Sequence, residues 1–357
     1  MDIRELLQFM VQKNISDIHF KAHCVPLIRF NGNLMPAQQE PFTEEFVKNL
    51  AFGLMNENQK KRFEAENELD MSYTLDHISR FRVNVYRQKG TVALTLRVIP
   101  LELKNFEQLN LPTQPLQNFC AAPSGLILVA GVTGMGKTTT INAMVNHLNE
   151  NFAYNMISVE DPIEFYHHDK KSSISQREVG HDTRSFDTAL RHILRQDPDV
   201  IIIGEMRDHE TIAAALTAAE TGHLVLSTIH TQDALHTIQR IVDSYPADQQ
   251  HRLHSTLANV LRGVIAQKLL PTADGESRVP CIEVLQMNSY IRQLIGEGKT
   301  SELYTAMARS QNEGACTFDQ DLLRLYKAGK ISKEVALMES ARPENFLSML
   351  QGISVHV

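Results

Sequence analysis

The chain has 357 residues, 43% of them hydrophobic and 22% charged, the make-up of an ordinary globular protein long enough for two domains. Its 35 basic and 42 acidic side chains leave a net charge of −7, so the molecule as a whole is not built to grip nucleic acid, although a local basic stripe stays open. The cysteines Cys24, Cys120, Cys281 and Cys316 stand far apart with no C-x-x-C pair, which argues against a cysteine zinc site and against a disulfide framework.

Met1 to Glu5 carry charges where a signal peptide has an apolar core, and no apolar run approaches the roughly 18 residues that span a bilayer. A reducing, cytoplasmic protein is expected, with any membrane association made through a partner. Leu6, Leu7, Met10 and Val11 recur at helical spacing, and a strand is predicted around Asp17 to Phe20. Leu27 to Phe30, then Asn31-Gly32, then a short apolar return reads as a hairpin, because both turn residues need positive φ. Helical pattern resumes from Thr43 to Phe63, and a second strand pair, Phe81–Tyr86 and Thr91–Ile99, turns at Gln88-Lys89-Gly90. This is a mixed α+β domain over residues 1–99. Residues 100–117, with Pro100, Pro112 and Pro115, read as a linker.

The pattern then changes to alternating strands and helices over 118–357. Leu126–Ala130, Met156–Val159, Val200–Ile203 and Leu224–Ser227 are continuous apolar runs, as expected of strands buried on both faces. Helices are predicted over Thr138–Leu148, from a Ser185 cap to the break at Asp197-Pro198, and over 208–221 up to Gly222. Such alternation implies a parallel α/β sheet. From about residue 285 the pattern is helical.

Gly131-Val132-Thr133-Gly134-Met135-Gly136-Lys137-Thr138 satisfies G-x-x-x-x-G-K-S/T between a buried strand and a helix. The glycines let backbone N–H groups curl around an anion, and the helix N-terminus adds partial positive charge. Lys137 reaches the β- and γ-phosphates in such a loop, and the Thr138 hydroxyl ligates Mg²⁺. Met135 stands where serine is commoner. Little effect is expected, since the backbone does the binding there.

Ligands of parallel sheets sit beyond the carboxyl ends of strands. Two acidic clusters follow buried strands: Glu160-Asp161-Pro162-Ile163-Glu164, and Gly204-Glu205. In the second, a glycine replaces the strand-ending aspartate of the usual metal-binding pattern, which suits Glu205 to orienting or deprotonating water. Glu164 is a second candidate, while Glu160 and Asp161 read equally as caps. His223 and His230 flank the fourth strand and can sense the γ-phosphate or bridge to the acids. Taken alone, a histidine so placed is more often a packed, hydrogen-bonded one. Arg82, Asn84 and Tyr86 share one strand face by the period of two. That face reads either as arginines that stabilise phosphate charge in a neighbouring subunit or as a solvated sheet surface.

Together with Gly131–Thr140, Ser158–Phe165, Gln176–Val179, Leu194–Asp208, Ala218–Leu224 and Thr228–Thr231, these residues resemble the type IV pilus retraction ATPases of the PilT/PilU family, within the secretion ATPases related to GspE. The resemblance implies an N-terminal PAS-like α+β domain and a C-terminal RecA-like P-loop ATPase domain. It implies a homohexamer that hydrolyses ATP with Mg²⁺ to power pilus retraction and twitching motility. It names Glu205, Glu164, His230, Arg82 and Arg97 as catalytic. Thr133, Gly134, Met135, Gly136, Lys137, Thr138, Thr139 and His223 become cofactor-binding, and Thr138 and Glu164 hold the metal. The partners it implies are a PilC-like inner-membrane platform protein and a paralogous retraction ATPase, with neither nucleic acid nor zinc. In Ser289–Ile295, which is similar to a family segment, Tyr290 replaces alanine and Gln293 replaces asparagine, leaving open whether the subunit retracts alone or assists another. The rival readings are a nucleic-acid translocase and a ring member that binds ATP but barely turns it over.

Overall fold

A computed structural model describes residues 3–13, 15–30, 33–37, 40–75, 78–99 and 103–350. The chain forms two compact units: Met1–Leu103 with Pro162–Tyr166, and Lys104–Asp161 with His167–Val357.

In the first unit the elements follow as α1 (Ile3–Gln12), β1 (Ile15–Lys21), β2 (Leu27–Phe30), β3 (Asn33–Pro36), α2 (Glu44–Leu54), α3 (Glu57–Glu66), β4 (Glu68–Leu75), β5 (Ser79–Gln88) and β6 (Thr91–Ile99). The strands make one antiparallel sheet in the order β3-β2-β1-β6-β5-β4. Phe81, Val83 and Val85 turn into a core with Leu7 and Met10 of α1 and Val47 and Ala51 of α2. By the strand period, Arg82, Asn84 and Tyr86 lie on the other face, half-buried. Thr43 caps α2 and Asn56 caps α3, each accepting the backbone N–H three residues on. β5 turns into β6 through Lys89 and Gly90, both at positive φ. The residues of the Asn31-Gly32 turn and Pro100 lie outside the described residues, although Phe30 and Asn33 pair across that turn.

The second unit continues with α4 (Thr113–Cys120), β7 (Gly125–Ala130), α5 (Lys137–Asn151), β8 (Asn155–Glu160), β9 (Ser173–Glu178), α6 (Phe186–Ile193), β10 (Val200–Ile203), α7 (His209–Glu220), β11 (Leu224–Ile229), α8 (Ala234–Asp243), α9 (Ala247–Val260), β12 (Leu261–Pro271), β13 (Arg278–Gln286) and the helices α10 (Ser289–Gly296), α11 (Leu303–Arg309), α12 (Phe318–Lys327), α13 (Lys333–Glu339) and α14 (Pro343–Leu350). The sheet order is β13-β12-β7-β11-β10-β8-β9, parallel except for β13. Both faces are covered. Leu126 and Leu128 of β7 join one apolar core, and the alternate residues Ile127 and Val129 join another with Ile141, Met144 and Leu148 of α5.

Two expectations differ from this structure. The stretch read as a linker holds α4, and Phe106, Leu111 and Leu116 within it are buried. Pro112 is the N-cap of α4 and Pro115 lies in its first turn, where no intrahelical N–H partner is needed, so the prolines begin a helix. The sheet also gains β9, β12 and β13, so the four buried runs form its centre.

Candidate active site

The phosphate loop is shaped by what lies on either side of it. β7 is buried along its whole length, and α5 begins at Lys137. Between them Gly134 and Gly136 stand at φ 82° and 83°, a region side chains disfavour. The first-turn amides of α5 have no acceptor within the helix, and they meet the loop at the positive end of the helix dipole. Lys137 is 7% exposed, and its Nζ donates to the Val132 carbonyl at 3.1 Å, so the ammonium is folded over its own loop. Asn142 Nδ2 donates to the Thr138 carbonyl at 2.8 Å, fixing the turn that carries the Thr138 hydroxyl and Thr139.

Glu205 follows β10 by one residue, and packing accounts for the offset. A β-carbon on Gly204 would come within 3.2 Å of the Val159 carbonyl and 3.3 Å of Glu160 Cα, so an aspartate does not fit without moving β8. The Met206 amide donates to Thr228 O, and the Thr228 hydroxyl donates to Gly204 O at 2.7 Å. These bonds hold the turn from which Glu205 projects. His230 Nε2 is 3.2 Å from Glu205 Oε1, and His230 Nδ1 is 3.4 Å from Thr133 Oγ1. Burial, and then the nearby Lys137 charge, lower the pKa of His230 below that of a free histidine. The ring is therefore neutral near pH 7 and links loop to acid by hydrogen bonds. Arg207 Nε approaches the other Glu205 oxygen at 2.9 Å.

Glu160, left open between acid and cap, is 8% exposed at the end of β8. It accepts from Ser158 Oγ at 2.7 Å and Gln176 Nε2 at 3.1 Å. Together with Thr138, Asn142, His167 and Gly204 it lines a cleft between α5 and the sheet. His167 Nε2 donates to Asn142 Oδ1 at 2.6 Å, and burial pushes its pKa down to about 4. The sequence reading names neither residue: Asn142 lies one helical turn beyond Thr138 on α5, and His167 reaches the cleft through its contact with Asn142.

His223 lies at the other end of the sheet. It precedes β11, whose far end carries His230, and about six residues of strand, roughly 20 Å, lie between the two histidines. Its Nδ1 is 3.0 Å from Ala218 O and its carbonyl accepts from Gly125 N, so it closes α7 at the amino ends of the strands and does not reach the phosphate loop of its own chain. Glu164 falls in Pro162–Tyr166, which packs with the first unit. There Arg82 Nη1 lies 3.7 Å from Glu164 Oε1 and Arg82 Nε lies 3.9 Å from Asp70. Arg97 pairs across the strands with both Arg82 and Asp17, and its Nε contacts Asp17 Oδ1 at 2.6 Å while the side chain stays 63% exposed. Arg82 and Arg97 thus share one polar sheet face.

The profile of the family described as Type II/IV secretion system protein matches residues 1–317. The chain belongs to that family. Over 346 residues it is 41% identical to the type IV pilus retraction ATPase PilT of Pseudomonas aeruginosa, covering 97% of this chain and all of that one. It is 38% identical over 351 residues to the type IV pilus ATPase PilU of the same organism, covering 98% of this chain and 92% of the relative. The crystal structure of the pilus retraction motor PilT with bound ADP superposes with a TM-score of 0.89 at 42% identity, over 97% of this chain and 98% of that one. This secretion-family protein is a nucleotide-binding ATPase, and its PilT/PilU resemblance holds along almost the whole chain. Among the described residues no helix is long and apolar enough to cross a membrane.

Proposed function

We propose that the protein is the ATP-hydrolysing subunit of a hexameric ring that powers type IV pilus retraction and hence twitching motility. The observation that carries this reading is the meeting of a complete phosphate loop with Glu205, through His230 and Thr133, at the carboxyl ends of the strands. The loop amides and Lys137 hold the β- and γ-phosphates of ATP. Glu205 orients the attacking water and takes its proton, and neutral His230 keeps that carboxylate aimed at the loop.

A magnesium ion fits this donor set. Among the described residues no cluster of three or more His, Cys, Asp or Glu forms a protein cage. Thr138 and the acids Glu160 and Glu205 supply hard oxygens at one end of the sheet, the arrangement of a Mg²⁺ held mainly by phosphates and water. When bound, Mg²⁺ would neutralise charge on the β- and γ-oxygens. Arg82 and Arg97 act on the nucleotide of a neighbouring subunit, and the ring works on a PilC-like membrane platform protein. Glu164, 3.7 Å from Arg82, keeps that guanidinium in place.

The test is ATP hydrolysis by the purified chain at its native oligomeric size. Glu205→Gln is expected to lose about 10²-fold or more in kcat while still binding ADP. Lys137→Ala is expected to lose ADP binding as well. Full activity in Glu205→Gln would sink the catalytic assignment. A second reading, an accessory motor working with a paralogous retraction ATPase, draws on the similar identities to PilT and PilU. Under that reading hydrolysis is intact, yet a strain lacking PilT stays immotile when given this chain alone.

A further inference from the structure

β12 lies far along the chain from the phosphate loop, yet it builds the loop's outer wall. Its pairing with β7 ends at Ala266 opposite Ala130, so the next residues run on beside the loop itself. Gln267, 4% exposed, is the first of them. Its Nε2 donates to the Met135 carbonyl at 2.7 Å, and the Thr140 hydroxyl donates to its Oε1 at 2.7 Å. A carbonyl only accepts, so the amide nitrogen must face Met135, and the Thr140 hydroxyl holds it that way round.

The consequence follows from peptide geometry. In a planar trans peptide the C=O and N–H point in opposite directions. Drawing the Met135 carbonyl out toward β12 turns the Gly136 N–H inward, to the side where phosphate oxygens bind. Without that donor the Met135–Gly136 peptide is free to rotate and present an oxygen to an anion.

The glycines of the motif fit the same residue. A β-carbon on Gly136 would stand 2.8 Å from Gln267 Nε2, and one on Gly131 would stand 2.8 Å from the Gln267 carbonyl. Both terminal glycines of G-x-x-x-x-G thus make room for Gln267. Met135 is held a second time, because its Sδ accepts the Leu269 N–H at 3.2 Å. The expectation of little effect from methionine here leaves out this contact to β12.

We propose that Gln267 is a positioning residue for the nucleotide: it fixes the Met135–Gly136 peptide, and Thr140 keeps its amide in register. This rests on the reading of the loop as an ATP site. The experiment measures ADP binding by calorimetry and steady-state ATP hydrolysis on the full chain. Gln267→Glu keeps an acceptor for Thr140 but sets an oxygen against the Met135 carbonyl. ADP affinity is expected to fall about tenfold or more, as when a buried acceptor loses its donor. KM for ATP rises in step while kcat stays within about threefold, because the bond serves ground and transition states alike. Thr140→Val, which frees the amide to turn, gives a smaller loss in the same sense, and Thr140→Ser restores the affinity. If Gln267→Glu does not fold, the Thr140 pair decides. Wild-type ADP affinity in Thr140→Val, or Thr140→Ser as weak as Thr140→Val, overturns the proposal. So does a fall in kcat with KM unmoved. A wild-type chain that binds no ADP overturns the nucleotide reading and this inference together, whereas wild-type binding with unchanged variants overturns only the role of Gln267.

Discussion

His230 ties the acid to the loop as a neutral ring at pH 7. Its lowered pKa keeps it so through neutrality, but acidification makes it a cation beside Glu205, and a carboxylate paired with a cation is a poorer base. Hydrolysis should therefore be flat near pH 7 and decline only below the ordinary histidine value of 6.5. His230→Gln should reduce kcat about tenfold at pH 7 and lose that acid limb. A pH–rate profile of both proteins checks this. His167 makes a separate prediction about stability. Its folded pKa, about 4, lies below the unfolded value of 6.5, so the unfolded chain binds the extra proton first as pH falls. The stability from keeping His167 neutral is whole above pH 6.5 and declines down to pH 4, by on the order of 3 kcal/mol. His167→Gln should narrow the gap between melting temperatures at pH 7 and pH 5; an unchanged gap counts against the assignment. At this scale the phosphate loop, Glu205 and His230 were legible because motif and strand ends announce them. His223 and His230 flank β11 and so stand at its opposite ends, and only the pairing of β11 with β7 shows which end carries the loop.

Elements were legible where burial leaves an unambiguous pattern. β7, β8, β10 and β11 lie inside the sheet and read as apolar runs. β9 is an edge strand, Ser-Ile-Ser-Gln-Arg-Glu, whose polar residues conceal it. β12 begins at Leu261 directly after α9 ends at Val260, with no turn residue to mark the change. Gln267 acts from such a strand on the loop and on α5, and a local reading of the sequence does not contain that contact. Glu283 shows what the hidden β13 contributes. Its carboxylate, 4% exposed, accepts from Ala234 N at 2.9 Å and Phe318 N at 3.4 Å, the first amides of α8 and α12. Burial pushes its pKa up to about 7, with Asp233 and Asp319 adding to the rise. The folded state thus holds a proton that the unfolded chain releases from about pH 4.5. This contribution to stability is present at low pH and is lost as pH rises toward 7. The melting temperature of Glu283→Gln, relative to the parent, should be more favourable at pH 8 than at pH 5. A pH-independent difference would show that Glu283 is not the titrating group.

On the scale of the whole molecule each unit has its own core, and the chemistry assigned to them differs: the second holds the phosphates, and the first carries Arg82 and Arg97 on a polar sheet face. If those arginines serve a neighbour, Arg97→Ala and Lys137→Ala proteins should each be nearly inactive alone. Mixed, they should recover a measurable fraction of activity, because some sites then combine an intact loop with an intact arginine. No recovery, in rings shown to exchange subunits, would place Arg97 outside the site. The fit of Gln267 against Gly131 and Gly136 also bears on how the chain is made. The loop is synthesised early, but the side chain that orients its peptide is encoded 132 residues after Met135. Contacts of such long range form late and slow the search for the native state. As the chain leaves the ribosome, the motif emerges before the strand that shapes it, so a nascent subunit passes through a long stage in which it carries the motif but lacks the grip. Nucleotide capture would then mark the completion of the sheet, and the ligand could act as a late stabiliser of newly finished subunits.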